Sequence, residues 1–117
     1  MHEFGLCEGV IAAVQKRAEG RRVARVRVRV GALLRVGHEA FQQAFAHAAA
    51  GTEAQDARLD VVVVAARSRC GTCRHEIESH EIIEVCPSCG GVDLDLTGGE
   101  ELVLESLEYE APQGTIT

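Results

Sequence analysis

The amino-acid sequence predicts an α+β fold: a small three-stranded mixed sheet with two helices on one face, and an inserted module that contains four cysteines. Three observations predict it. Two stretches carry apolar residues at helical spacing, three stretches are rich in Val or Leu with strand-like patterns, and two Cys-x-x-Cys pairs lie between the second and third strands. A chain of 117 residues is long enough for one ordinary core and one such small module.

The first predicted helix runs from Phe4 to about Gly20. Apolar residues recur there at spacings of three and four, and those expected to face the core are Cys7, Val10, Ile11, Val14 and Ala18. Gly20 is a suitable stop because glycine readily takes the left-handed conformation that ends many helices. Cys7 is the unpaired fifth cysteine, and we interpret it as a small core residue rather than a ligand or nucleophile.

The first predicted strand, Arg21 to Val30, alternates small apolar residues with arginines. The residues expected to be buried are Ala24, Val26, Val28 and Val30. The arginines would then lie on a solvated outer face of the sheet. The alternative is that their row binds an acidic partner.

The second predicted helix, His38 to Ala50, follows a loop over Gly31 to Gly37 and ends at Gly51. The residues expected to face the core are Phe41, Phe45 and Ala48 or Ala49. This helix connects two strands, and such a strand–helix–strand unit makes a right-handed crossover between parallel strands.

The two remaining strands are predicted at Arg58 to Ala66 and Glu101 to Glu110. The first of these is Val-rich on both faces, so we expect it to be central and buried. The second returns from the cysteine module to complete the sheet. Its alternation slips between Leu104 and Leu107, which is typical of a β-bulge.

Four cysteines form two Cys-x-x-Cys pairs, Cys70 with Cys73 and Cys86 with Cys89, and twelve residues separate the pairs. Each pair can place both sulfurs on one side of a tight turn, about 2.3 Å from a Zn²⁺ ion. Four thiolates would saturate the metal and leave no position for water. We therefore interpret the four cysteines as a structural zinc site in a zinc-ribbon-like module, with two disulfides or free thiols as the alternative.

Domain organisation and charge exclude several function classes. The zinc-binding domain is predicted at residues 67–100, between the two parts of an α/β domain at residues 1–66 and 101–112. A net charge of −6 argues against nucleic acid as the main partner, because phosphate binding needs a basic face. No apolar run reaches the ~18 residues of a membrane-spanning helix, and no secretory signal is visible, so we expect a cytoplasmic protein without a membrane partner.

The first three residues, Met1-His2-Glu3, precede any helix signal. The terminal amine, the His2 amide and the His2 imidazole lie within a few bonds of one another and can wrap a metal in fused chelate rings. Glu3 offers a further donor. Nitrogen-rich planar coordination of this kind suits Ni²⁺ or Cu²⁺. On the tripeptide alone, the favoured alternative is that a polar histidine merely occupies position 2.

The whole pattern resembles the HypA/HybF family, the nickel metallochaperones of NiFe-hydrogenase maturation. The resemblance covers essentially the full chain. It rests on Met1-His2-Glu3, the helix after it, Val30-Gly31-Ala32 at the end of the first strand, the two Cys-x-x-Cys pairs and the late Leu107-Glu108-Tyr109-Glu110.

The resemblance implies roles for individual residues. It makes His2 the essential nickel ligand of the α/β domain, assisted by the Met1 amine and by the backbone nitrogen or side chain of Glu3. The four paired cysteines match the structural zinc ligands. His75 matches a histidine that tunes the zinc module in some members.

The family's pattern is not complete in this sequence. Members often carry a carboxylate near the nickel in the loop before the second helix, and the corresponding position in this sequence is near Gly37. We expect His38 or Glu39 to take that role.

The resemblance also implies a delivery function without catalytic turnover. Ni²⁺ would be held at the N-terminus and passed to the NiFe-hydrogenase large-subunit precursor, in cooperation with a HypB-type GTPase, by a monomer or weak homodimer. Two other classes stay open. A zinc-ribbon interaction module would show a salt-dependent affinity for nucleic acid, and a zinc hydrolase would need an open metal position. Neither explains Met1-His2-Glu3.

Overall fold

The computed structural model describes residues 2–111 of the chain. Its helices are α1 (His2–Ala18) and α2 (His38–Ala49), with a 3-10 turn at Ala32–Leu34 inside the predicted loop. Its strands are β1 (Val23–Gly31), β2 (Arg58–Val64), β3 (Ala66–Cys70), β4 (Glu76–Ser79), β5 (Leu94–Gly98) and β6 (Leu102–Tyr109). Within this part of the chain, neither helix has the length and apolar character that a membrane span requires.

The strands form two sheets, in the orders β2-β1-β6 and β4-β3-β5. The predicted α+β class is confirmed, and the last strand returns to the first sheet as expected. The central position predicted for the second strand is wrong, because β1 lies between β2 and β6. The edge position of β2 agrees with its exposure, since Leu59 is buried but Val63 keeps 49% of its surface exposed. The predicted strand also ends early: β2 stops at Val64, and Ala66 begins β3.

The chain divides into two compact units. The first comprises Met1–Val28, Val36–Val61 and Val103–Thr117, and the second comprises Arg29–Arg35 and Val62–Leu102. The domain bounds given in the preceding section stay a prediction.

In the first unit, α1 and α2 pack against each other through their apolar faces. All five residues predicted to face the core from α1 are buried, and the buried residues of α2 are Phe41, Ala44, Phe45 and Ala49. The Cys7 thiol donates a hydrogen bond to the Phe41 carbonyl at 3.6 Å, and burial raises the pKa of Cys7 to about 11. Cys7 is therefore a protonated core residue at neutral pH, as predicted.

The buried face of β1 differs from the prediction at its start. The buried residues are Val23, Val26, Val28 and Val30, while Ala24 is exposed. Val23 replaces Ala24 because the strict alternation begins only at Val26, and the larger side chain takes the core position.

The arginines of β1 are engaged by carboxylates of the neighbouring strands. Arg25 lies 3.2 Å from Asp60 of β2 and 3.3 Å from Glu108 of β6, and Arg27 lies 3.2 Å from Glu105 of β6. Such partly exposed pairs are worth at most about 1 kcal/mol each. These pairs agree with a solvated outer face of the sheet. Because both arginines already have carboxylate partners on neighbouring strands, they are less available to bind an acidic partner.

In the second unit, β3 is the central strand and pairs antiparallel with β4 and β5. Its buried cluster consists of Cys70, Ile77 and Cys86, with Ile83 and Leu94 packed against it. Two of the three buried residues are cysteines of the predicted metal site. An apolar core this small contributes little stability alone, so a metal ion held by the cysteines would supply much of the stability of the module.

A close backbone approach explains Gly31 at the end of β1. The Gly31 N–H donates to the Glu101 carbonyl at 2.7 Å, and the Leu33 N–H donates to the Gly99 carbonyl at 2.9 Å. A Cβ on Gly31 would overlap the carbonyl group of Gly99, closer than the 3.0 Å below which real Cβ atoms essentially never lie. Glycine is therefore required at this position by space and not by an unusual φ.

Candidate metal centres

The two Cys-x-x-Cys turns share one backbone pattern. The Arg74 N–H donates to the Cys70 carbonyl, and the Gly90 N–H donates to the Cys86 carbonyl, both at 2.8 Å. The N–H of each first cysteine donates to the carbonyl five residues later, at 2.9 and 2.8 Å. Arg74 and Gly90 occupy equivalent places and have φ values of 63° and 77°. Each turn thus closes on itself and presents both of its sulfurs to the other turn.

The four sulfurs converge in a geometry that fits a tetrahedral metal ion. The Cys70 sulfur lies 3.7 Å from that of Cys89, and the Cys73 sulfur lies 3.6 Å from that of Cys86. All four ligand atoms lie within 4.8 Å of one another. Sulfurs bound about 2.3 Å from one tetrahedral ion lie roughly 3.8 Å apart. These distances are too long for disulfide bonds, so the disulfide alternative is wrong for this structure, and unmetallated free thiols stay an alternative.

Hydrogen bonds distribute charge unevenly within the cysteine cluster. The Cys73 N–H donates to the Cys70 sulfur at 3.5 Å and lowers the pKa of Cys70 to about 6. The Gly91 N–H donates to the Cys89 sulfur at 3.4 Å and favours its thiolate, but contacts with the thiols of Cys73 and Cys70 outweigh it and raise the pKa of Cys89 to about 12. Four adjacent thiolates repel one another, so a cation is needed to hold all of them deprotonated. The donor set suits a thiolate-binding metal ion.

The two histidines of this module lie outside the ligand set. His75 and His80 both have exposed side chains. The backbone carbonyl of His75 accepts the hydrogen bond from the Cys70 N–H at 2.9 Å, so His75 contributes to the first turn through its main chain. Tuning of the metal site by the His75 imidazole stays a prediction.

The second candidate centre lies at the start of α1. The helix begins at His2, so the expectation that the first three residues precede it is wrong for His2 and Glu3. A carboxylate in the first turn is stabilised by the positive end of the helix dipole and by backbone N–H groups, and Glu3 occupies such a position. Met1, whose amine is a predicted nickel donor, lies outside the described residues.

Glu3 connects His2 to the beginning of α2. One oxygen, Oε1, lies 3.7 Å from Nδ1 of His2, whose side chain is 54% exposed. The other, Oε2, accepts a hydrogen bond from the Gly37 N–H at 3.1 Å. Hydrogen bonding to the carboxylate, including the bond from the Gly37 N–H, lowers the pKa of Glu3 to about 2. Glu3 is therefore ionised at neutral pH, and its carboxylate has a fixed place beside an accessible imidazole.

The alternative ligands His38 and Glu39 follow Gly37 as the first residues of α2. Both side chains are exposed. His38 lines a polar cleft of about 480 Å³ with other residues of α2 and residues of β2. Its role as a nickel ligand stays a prediction.

Comparison with known proteins shows the family of the chain. The family model described as "Hydrogenase/urease nickel incorporation, metallochaperone, hypA" matches residues 1–109. The chain belongs to the HypA family. The resemblance stated from the sequence motifs is thereby confirmed, and this member of a nickel-incorporation metallochaperone family contains a four-cysteine group that could hold a metal ion.

Relatives within the HypA family match over nearly their full length. The chain is 42% identical over 113 residues to hydrogenase maturation factor HypA 2 of Bradyrhizobium diazoefficiens, covering 94% of this chain and 100% of the relative. It is 36% identical over 110 residues to the HypA of Geobacter sulfurreducens, with the same coverage. The solution structure of the Ni metallochaperone HypA from Helicobacter pylori superposes with a TM-score of 0.68 at 26% identity, covering 94% of this chain and 98% of that one.

Sequence reasoning missed one residue of the N-terminal centre in this HypA family member. The sequence pattern identifies Gly37 only as a position near which the expected carboxylate is absent, whereas its N–H holds the Glu3 carboxylate in place. The two residues are 34 positions apart, and no local pattern connects them. The available signal was indirect: an acidic residue in the first turn of one helix and a glycine immediately before the next.

Proposed function

We propose that the chain binds Ni²⁺ at its N-terminus and delivers it to the NiFe-hydrogenase large-subunit precursor during maturation. The observation that carries the proposal is the linked arrangement of His2, Glu3 and Gly37. An exposed imidazole lies beside an ionised carboxylate, and the carboxylate is tied to the start of the second helix. Membership of the HypA family supplies the metal and the maturation process.

Distances support the sharing of one ion by His2 and Glu3. Nitrogen and oxygen ligands lie about 2.0–2.2 Å from an ion such as Zn²⁺, so two ligands of one such ion lie up to about 4 Å apart. Nδ1 of His2 and Oε1 of Glu3 are within that limit at 3.7 Å. We propose that the neutral Met1 amine, the deprotonated His2 amide nitrogen and Nδ1 of His2 hold the cargo nickel, with Glu3 as a nearby carboxylate, and that the amine and amide protons are released to solvent on binding. The first amides of a helix have no intrahelical acceptor, so coordination there breaks no helical hydrogen bond.

The position at a helix N-terminus moderates the affinity for a cation. The positive end of the α1 dipole disfavours a bound metal ion, and the Glu3 carboxylate offsets that effect. His2 remains half exposed, so an acceptor protein has a direct approach to the ion. Together these features support a site that binds nickel selectively and still releases it.

We further propose that Cys70, Cys73, Cys86 and Cys89 hold a structural Zn²⁺. The donor set and spacing suit tetrahedral zinc, and four thiolates leave no ligand position for a reacting water. This supports a non-catalytic role for the cluster. A zinc hydrolase is disfavoured for the same reason.

The proposed partners are a HypB-type GTPase and the hydrogenase large subunit, in the cytoplasm, with no nucleic acid and no membrane. The chain itself would be a monomer or weak homodimer without enzymatic turnover. An acidic chain with a net charge of −6 supports a protein acceptor over a nucleic acid.

Nickel transfer to an acceptor tests the proposal. The chain is loaded with Ni²⁺ and mixed with nickel-free large-subunit precursor and the GTPase, and the nickel in the re-isolated precursor is measured. We expect transfer from the native chain and from His47→Ala, a control at an exposed histidine in the last turn of α2. His2→Ala is expected to transfer little. Equal delivery by His2→Ala, or by nickel salt alone at the same concentration, would contradict the proposal.

A further inference from the structure

The second unit contains an apolar groove of about 410 Å³ that neither metal centre uses. Its floor consists of alternate residues of two paired strands, Ala66 and Ser68 of β3 and Leu94 and Leu96 of β5. Alternate residues of a strand point to the same face, so these four define one face of the sheet. The walls are formed by Leu33, Leu34, Glu81, Ile82, Ile83 and Glu100.

Apolar side chains in this groove are exposed to an extent that calls for a binding partner. Ile82 is 64% exposed and Leu96 is 46% exposed, and both line the same groove. Single exposed apolar residues are common and need no explanation. Several around one concave surface, with polar residues at its rim, are typical of an interaction site.

The charge at the rim indicates the class of partner. The charged residues that line the groove are Glu81 and Glu100, and both are exposed. An acidic rim repels nucleic-acid phosphates and anionic lipid headgroups. It favours a partner with lysine or arginine beside an apolar segment, because complementary charges steer association and select against other partners.

We propose that this groove binds an apolar segment of a partner protein that is flanked by basic residues. The aliphatic side chains of the segment would lie on Leu94 and Leu96 and against Ile82, with the basic residues toward Glu81 and Glu100. The proposal does not depend on the nickel site and holds whether or not nickel delivery is correct.

The groove shares residues with the packing around the cysteine cluster. Ile83 and Leu94 line the groove and also pack against the buried Cys70, Ile77 and Cys86. Because this small core includes two cysteines of the metal site, the groove depends on the same metal-held structure. Removal of the metal is therefore expected to remove binding in the groove.

A displayed library of random 12-residue peptides tests the proposal. The full-length, zinc-loaded chain is the bait, and enriched peptides are sequenced, synthesised and titrated calorimetrically. The test variant is Ile82→Asp, and the matched control is Val92→Asp, since Val92 is 76% exposed in the same unit and is not among the residues that line the groove. A Glu81→Lys, Glu100→Lys double variant tests the charge. Bound zinc per chain is measured for each variant to verify that the cluster is intact.

We expect enriched peptides with aliphatic residues next to lysine or arginine. Ile82→Asp should weaken their binding roughly tenfold or more, as loss of a central apolar contact does. The double charge variant should also weaken it and reduce its salt dependence, and Val92→Asp should leave it unchanged. The proposal is overturned if no peptide is enriched, if enriched peptides lack basic residues, or if Val92→Asp weakens binding as much as Ile82→Asp. It is also overturned if the groove is covered by a second copy of the chain, seen as dimers that Ile82→Asp dissociates.

Discussion

Replacement of Gly31 by alanine tests the close backbone approach in the second unit. Gly31 has a φ of −66°, which alanine adopts without strain, so the whole cost is steric. Ordinary contact needs 3.4–4 Å, and the new Cβ would overlap the Gly99 carbonyl group and lie 2.6 Å from the Glu101 carboxylate. The segments must separate, and the backbone hydrogen bonds at 2.7 and 2.9 Å that join them would lengthen or break.

The magnitude follows from these losses. Two hydrogen bonds contribute about 0.5–1.5 kcal/mol each, and overpacking costs about 1–3 kcal/mol. We therefore expect Gly31→Ala to lower the free energy of unfolding by roughly 2–6 kcal/mol, a large part of the about 5–15 kcal/mol typical of a native protein.

Urea unfolding followed by circular dichroism, at a fixed excess of zinc, measures this change. Gly9→Ala is the matched control inside α1, where a Cβ meets nothing within 4 Å, and it should raise the free energy of unfolding by about 0.5–1 kcal/mol. Gly20→Ala distinguishes backbone strain from steric overlap, because Gly20 has a φ of +86° and a Cβ there would meet nothing within 4 Å. It should cost about 1–2 kcal/mol. A Gly31→Ala chain no less stable than Gly20→Ala would refute the steric argument.

Four further predictions concern the metal centres and the core. Glu3→Gln should weaken nickel binding by roughly 10–100-fold in calorimetry, as loss of a supporting carboxylate does. Because the pKa of Glu3 is low, its stabilising effect is present above about pH 4.5 and is lost as the pH falls toward about 2. The difference in melting temperature between the native and Glu3→Gln chains should therefore shrink as the pH falls through that window. A constant difference would contradict the low pKa of Glu3. Cys86→Ser should remove roughly one quarter of the thiolate-to-cobalt absorption per bound Co²⁺, because three thiolates remain, whereas Cys7→Ser, in the core of α1, should leave it unchanged. Unchanged absorption in Cys86→Ser would exclude that sulfur as a ligand. Phe41→Ala should lower the free energy of unfolding, measured by urea unfolding, by about 3–5 kcal/mol, because Phe41 is fully buried. A change below about 1 kcal/mol would mean that the neighbouring side chains collapse into the cavity.

Local patterns predicted the parts of this fold that depend on local spacing. The apolar spacing of α1 identified every buried apolar residue of that helix, because helix periodicity fixes which side chains share a face, but it did not identify the buried Glu3. The two Cys-x-x-Cys pairs predicted the convergence of their sulfurs, since each turn is determined within a few residues. Gly20 and Gly51 both have positive φ just after a helix, as their positions suggested.

Features set by distant pairing were not predictable in the same way. The valines of β2 indicated a central strand. The central strand is instead β1, because β6 pairs with the other edge of β1, and β6 follows β2 by some forty residues in the sequence. The bond from Gly37 to Glu3 and the groove between Leu33, Ile82 and Leu96 likewise join segments with no shared sequence pattern. The slip in alternation near Leu104 corresponds to two successive exposed residues, Glu105 and Ser106, and the bulge predicted there stays a prediction.

Calorimetric titration of nickel into tag-free, zinc-loaded protein tests the central claim most directly. Three proteins are compared: the native chain, His2→Ala, and a chain with extra residues before Met1. The account predicts that the native chain binds roughly one Ni²⁺ with a Kd in the micromolar range and that both altered chains lose this binding. Equal binding by all three would place nickel elsewhere in the chain and contradict the N-terminal site.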